Sequence, residues 1–300
     1  MTLDERKKYK QGLISAVLCS VWWGICPIYW AWLKPIESST IIFYRIVLVA
    51  VVCTLGALIF YGRETVLAPL KDRKLTLRMI GAGIIITINW SVYIWAINSG
   101  GVIQTSIGYY IEPLMVCLFG MIFFGEKLNR YKAVALAFGA AGVIAVIVYF
   151  KEFPGIALAI AISFSCYAAL KKGIKMPPLL SLMYETVFIA PFALMVVFWL
   201  EGTGQGALGF GWGRYVLLLL CGFVTALPLT LFADAANKTS MFMLGLTEYI
   251  SPTIALFIGI FYFKEDFYPV QIIAFAIIWV GLVIFSLGEL KELRGDQNVG

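Results

Sequence analysis

The sequence predicts an all-α membrane protein of ten transmembrane helices, arranged as two inverted five-helix repeats. Three observations lead there. Hydrophobic residues make up 61% of the 300 positions and charged residues only 13%, with a mean hydropathy of +0.91. A soluble domain keeps roughly 25% charged residues to cover its surface, whereas a lipid-solvated fold has no such need. The charges also cluster, and the apolar stretches between them run about 17–24 residues, enough to cross ~30 Å of hydrocarbon. Finally, distinctive residues recur at a near-constant offset along the chain.

The predicted spans are 12–33, 39–61, 78–98, 102–124, 132–149, 155–171, 179–200, 214–236, 240–263 and 268–288. The first apolar run follows Lys10 and lacks a short core with a small-residue cleavage site, so it reads as a helix rather than a signal peptide. The longest loop is the Gly-rich stretch Glu201 to Gly213. With the N-terminus in the cytoplasm, 18 Lys and Arg fall on the inside and 4 on the outside (Lys34, Lys151, Arg214 and Lys264), leaving Arg45 within a span. This bias obeys the positive-inside rule and requires an even number of spans. It places both termini in the cytoplasm and the protein in the cell membrane. The net charge of +6 therefore marks topology, with no nucleic-acid partner implied.

The repeat is the most informative feature. Tyr110-Ile111-Glu112-Pro113, Gly120, Glu126 and Gly142 match Tyr249-Ile250-Ser251-Pro252, Gly259, Glu265 and Gly281, all at an offset of 139. Asn98 and Asn237 share that offset, while Cys26 with Cys166, and Tyr44-Arg45 with Tyr184-Glu185, are offset by 140. The halves are residues 1–150 and 151–300, five spans each. Because five is odd, the second half enters the membrane from the opposite side. That architecture suits alternating access around a fixed central site.

Few ionisable residues lie deep in the spans: Arg45, Glu112, Glu185 and Glu248, with Asp234 near a helix end. Each costs at least ~2.5–3.5 kcal/mol to place in hydrocarbon, so each should face a cavity or a partner. Glu112 precedes Pro113, which can kink the fourth span; Pro252 marks the matching place in the ninth, one turn after Glu248. Arg45 and Glu185 are repeat-equivalent and opposite in charge, but inversion puts them at opposite depths, each about 9 Å in. Arg45 is better placed to meet Glu112 or an anionic group of a substrate, and Glu185 to meet Lys171 or Lys172.

Aromatic and polar residues gather in particular spans: Trp22, Trp23, Tyr29, Trp30 and Trp32 in the first; Asn89, Trp90, Ser91, Tyr93, Trp95 and Asn98 in the third; Gln104, Ser106, Tyr109 and Tyr110 in the fourth; then Ser163, Ser165, Tyr167 and Thr225. Trp30 and Trp32 fit an interfacial belt; Asn89, Trp90 and Tyr93 fit a cavity wall able to stack rings or cations. Gly139, Gly142 and Gly281 allow close helix packing or a dimer contact. The six cysteines are spaced as apolar filler, without a close pair. With no histidine, His-ligated metal sites and His-dependent nucleophiles are excluded. No Walker A motif is present, and no cofactor is called for.

The runs Asn89 to Asn98 (NWSVYIWAIN), Ser106 to Leu114 (SIGYYIEPL), Thr225 to Ala233 (TALPLTLFA) and Leu244 to Thr253 (LGLTEYISPT) resemble the RarD branch of the EamA-type transporters, in the drug/metabolite transporter superfamily. The resemblance implies a five-plus-five fold and a central cavity lined by spans one, three, four, six, eight and nine. Two positions depart from that branch's pattern: Glu112 stands where it has Asn and Glu248 where it has Gln. Acids in place of amides point to cation recognition or proton coupling.

The expectation is a secondary transporter, exporting a small organic metabolite or drug-like solute. Its expected substrate-binding residues are Trp22, Asn89, Trp90, Tyr93, Tyr109, Glu112, Tyr167 and Glu248, with Glu112 and Glu248 as proton-coupling candidates. Arg45, Pro113, Glu185, Pro228 and Pro252 take structural or gating roles. The partners are the solute, the lipid bilayer and protons, and the chain is a monomer or homodimer. A non-transporting sensor or scaffold, and an intramembrane enzyme built on the pair Glu112 and Glu248, stand as alternatives.

Overall fold

A computed structural model describes residues 3–99, 102–151, 153–264 and 268–295. Glu265 lies outside the described residues, as do the side chains of Asn98 and Gln104. Every regular element described is helical: α1 (Leu3–Trp32), α2 (Ser38–Leu67), α3 (Arg73–Asn98), α4 (Val102–Phe124), α5 (Arg130–Phe150), α6 (Gly155–Lys172), α7 (Pro178–Val187), α8 (Ala190–Gly202), α9 (Trp212–Lys238), α10 (Met241–Glu248), α11 (Ile250–Ile258) and α12 (Pro269–Gly295). Local chemistry sets several starts. Asn129 caps α5 by accepting from the Lys132 amide at 2.8 Å, and Ser240 caps α10 by accepting from Met243 at 3.0 Å, as short polar residues do at orphan amides. Gly62, at φ +74°, kinks α2 next to the predicted end of the second span at residue 61.

Nine described stretches are long and apolar enough to cross a membrane; the pair α7–α8, bent by 55°, makes a tenth if counted as one span. The predicted seventh span, 179–200, coincides with this bent pair. Pro191 lies in the first turn of α8. It has no N–H to offer Val187, the last residue of α7, and its ring crowds that carbonyl. The ninth span breaks by the same rule: Pro252 cannot donate to Glu248, where α10 stops. Yet α4 runs unbroken through Pro113, so the two matched Tyr-Ile-x-Pro segments differ in the structure.

α1 packs on α9 and α11, α2 on α7 and α9, α4 on α6 and α10, and α5 on α12. The glycines mark the close crossings. A Cβ on Gly142 would meet Ile278 at 2.8 Å, and one on Gly281 would meet Phe138 at 2.7 Å. These residues thus serve packing of α5 against α12 within the chain. All six cysteines are free, and five are buried.

Candidate functional site

The charged and aromatic residues of α1, α2, α3, α4 and α10 converge on one region. Arg45, on α2, lays its guanidinium on the Trp90 ring of α3, with Cζ 3.7 Å from the ring centroid; Trp30 of α1 lies 5.8 Å away on another side. Trp30 is thus half-buried beside Arg45, whereas Trp32 is 55% exposed. Among the described residues Arg45 forms no ion pair, so the expected contact with Glu112 is absent. Its Nε and Nη2 are buried without a hydrogen-bond partner.

Tyr93 and Tyr109 meet edge to face, with centroids 5.8 Å apart. Tyr109 feels charges of opposite sign, Arg45 and Glu112. Glu112 follows one turn later on the same face of α4. Pro113 also leaves the Tyr109 carbonyl without its usual intrahelical donor. Glu248 ends α10, and the charged neighbour it feels is Glu112. It is 5% exposed, and both carboxylate oxygens lack a hydrogen-bond partner. Gly245 makes this approach possible: a Cβ there would sit 2.6 Å from the Pro113 carbonyl oxygen and 2.9 Å from Cys117 Sγ. The site therefore runs in order from Arg45 and Trp90, through Tyr93 and Tyr109, to Glu112 and Glu248.

Other expected site residues are committed to holding helices. Asn89 is buried and donates to the Ile160 carbonyl and to Ser163 Oγ, both at 2.9 Å, tying α3 to α6. Trp22 donates to the Val224 carbonyl at 2.9 Å, tying α1 to α9. Tyr167 is fully buried, stacks on Phe232 and donates to Glu185 at 3.1 Å. The structure therefore does not bring Tyr167 to the cavity. Glu185 pairs with Lys171 at 2.5 Å, and Ser181 joins both; of the two partners expected, Lys171 is the one found. Cys19 donates to the Pro228 carbonyl across the α1–α9 contact. Asp234 pairs with Lys238 at 2.8 Å and accepts from Ser15.

One residue with a larger part than the sequence reading gave it is Glu126. Its carboxylate accepts from the first amides of α10, Met241 at 2.6 Å and Phe242 at 2.9 Å, and pairs with Lys172 at 3.2 Å. Lys172 in turn donates to the Thr239 carbonyl at 2.7 Å. An acid on helix N-terminal amides is a favourable arrangement. Here it binds the end of α4 to α6 and α10. The signal available was its place in the 139-residue repeat.

Comparison with known proteins agrees with this architecture. The model of the EamA-like transporter family matches twice, over residues 10–148 and 154–287. An uncharacterized transporter, YojE of Bacillus subtilis, is 36% identical over 294 residues, covering 96% of this chain and 98% of its own. Protein RarD of Streptomyces exfoliatus is 35% identical, covering 98% and 94%. A solved crystal structure superposes with a TM-score of 0.72 at 16% identity, over 92% of this chain and 97% of the other, which speaks to fold alone. The chain belongs to the EamA-like transporter family as a RarD-type member, and it is an integral membrane transporter.

Proposed function

We propose that this chain is a secondary transporter that exports a small organic solute across the cell membrane by alternating access, with Glu112 and Glu248 as the coupling pair. The observation that carries the reading is the close crossing of α4 and α10 at Gly245 and Pro113, which brings two acids into electrostatic range, one of them buried with both oxygens unpartnered. Two carboxylates that repel one another in low dielectric gain from a shared proton or from a cation held between them. Either can be exchanged for the other as the solute binds and leaves. The Tyr93–Tyr109 wall supplies ring surface for the solute. The 139-residue offset supports two inverted halves rocking about this region, with both termini cytoplasmic. The break between α10 and α11 beside Glu248 resembles the discontinuous helices that transporters place at their sites.

The test is flux in proteoliposomes with and without an imposed pH gradient. Wild type should transport faster with the gradient. Glu112→Gln and Glu248→Gln should each abolish that stimulation. Full transport with unchanged pH dependence in both variants removes proton coupling from the reading.

A further inference from the structure

We propose that Arg45 is a docking point for a carboxylate on the transported solute, a subsite separate from the two acids. The inference rests on the transporter reading and names a chemical class for the solute. It begins with an imbalance of charge. Several acidic residues already have a cation: Glu185 is paired with Lys171, Asp234 with Lys238 and Glu126 with Lys172. Glu201 accepts from Tyr44 and from the amides of Ala207 and Leu208. The charged neighbour that Glu248 feels is Glu112, an acid. The groups that Arg45 feels are Cys221, Cys26, Tyr109 and Tyr93, none of them an acid. Arg45 is thus a cation inside the helix bundle with no ion-pair partner among the described residues. An unpaired charge in such a place is costly, and a binding partner of opposite sign relieves it.

The orientation of the guanidinium defines the partner further. Trp90 covers one face at 3.7 Å, which leaves the in-plane N–H groups to bond. The two nitrogens without a hydrogen-bond partner are Nε and Nη2. These form one side of the guanidinium fork, whose parallel N–H bonds match the two oxygens of a carboxylate. Arg45 as a whole keeps part of its surface accessible, and its flexible stem can turn that edge toward a ligand. Tyr109 also feels Glu112, so charges of both signs reach this region. A solute with a carboxylate at Arg45 and its apolar body along the two tyrosines satisfies the fork that the protein leaves unpartnered.

The experiment uses purified full-length protein in nanodiscs and three acid–amide pairs: benzoate with benzamide, 3-phenylpropionate with its amide, and octanoate with octanamide. Binding is read by quenching of tryptophan fluorescence, since a ligand on Arg45 alters its contact with Trp90. The acid of at least one pair should bind about tenfold tighter than its amide. Arg45→Gln should erase that preference, and Arg45→Lys should restore it in part. Equal binding of acid and amide in all three pairs with wild-type protein overturns the proposal, without reliance on any variant. An acid preference that survives in Arg45→Gln overturns it as well. Flux in proteoliposomes separates the two readings. Solute flux with no acid preference defeats the subsite alone. Acid preference lost in Arg45→Gln, but with no flux of any solute by wild type, defeats the transporter reading and leaves the subsite standing.

Discussion

Gly245→Ala puts one methyl group into the crossing that brings Glu248 to Glu112. The added Cβ would stand 2.6 Å from the Pro113 carbonyl oxygen, 2.9 Å from Cys117 Sγ and 3.2 Å from the Cys117 amide nitrogen, whereas ordinary contact begins near 3.4 Å. Two of these neighbours are backbone atoms of α4, which cannot rotate aside, so α4 and α10 must separate by several tenths of an ångström. Overpacking of this kind costs about 1–3 kcal/mol, which corresponds to roughly 2–10 °C in unfolding temperature for a chain of this order of size. The separation acts one residue from Glu112 and three from Glu248, so the interaction between the acids weakens as well. The assay is thermal unfolding in detergent together with flux in proteoliposomes, with Gly81→Ala as the control. Gly81 lies within α3, and a Cβ there meets nothing within 4 Å; that change should be neutral or stabilising by up to about 1 kcal/mol. The expected result is a lower melting temperature and reduced flux for Gly245→Ala only. If both glycine variants unfold and transport alike, the tight α4–α10 crossing does not hold the site and the reasoning is wrong.

Two further outcomes follow from the ion pairs. Lys171 and Glu185 are both fully buried, so Lys171→Met or Glu185→Leu alone should cost about 3–5 kcal/mol by stranding a partner, while the two together should recover most of it; a double-mutant cycle on melting temperature measures this, and additive losses would contradict a coupled pair. Glu126→Ala removes two amide hydrogen bonds and the Lys172 contact. It should destabilise the chain by roughly 1–3 kcal/mol and speed hydrogen exchange at the first amides of α10 ahead of the rest, and exchange there as slow as in wild type would show that Glu126 does not clamp this helix.

The residues themselves already stated a great deal. Apolar length and charge clustering are local properties, so α4 was placed at 102–124 from composition alone and appears at Val102–Phe124. The partnership of Glu185 with Lys171 followed from depth, because helix rise converts position into height in the bilayer. The convergence of Glu112 and Glu248 was foreshadowed by their place in the repeat. The Pro191 break was legible in principle, since proline chemistry is local, but hydropathy is blind to a missing N–H.

What only the tertiary structure decided is which way side chains turn. Tyr109 and Tyr167 are both tyrosines deep in polar-aromatic spans, yet one feels both Arg45 and Glu112 and the other is sealed against Phe232 and Glu185. Trp30 could equally have faced lipid, and Arg45 could have met Glu112; the rotation of each helix, set by small residues such as Gly245 at the crossings, chose otherwise. Sequence determines which segments leave water, because transfer free energy sums along the chain. It does not by itself determine which charges remain unpaired inside, because that depends on distances between helices far apart in the sequence.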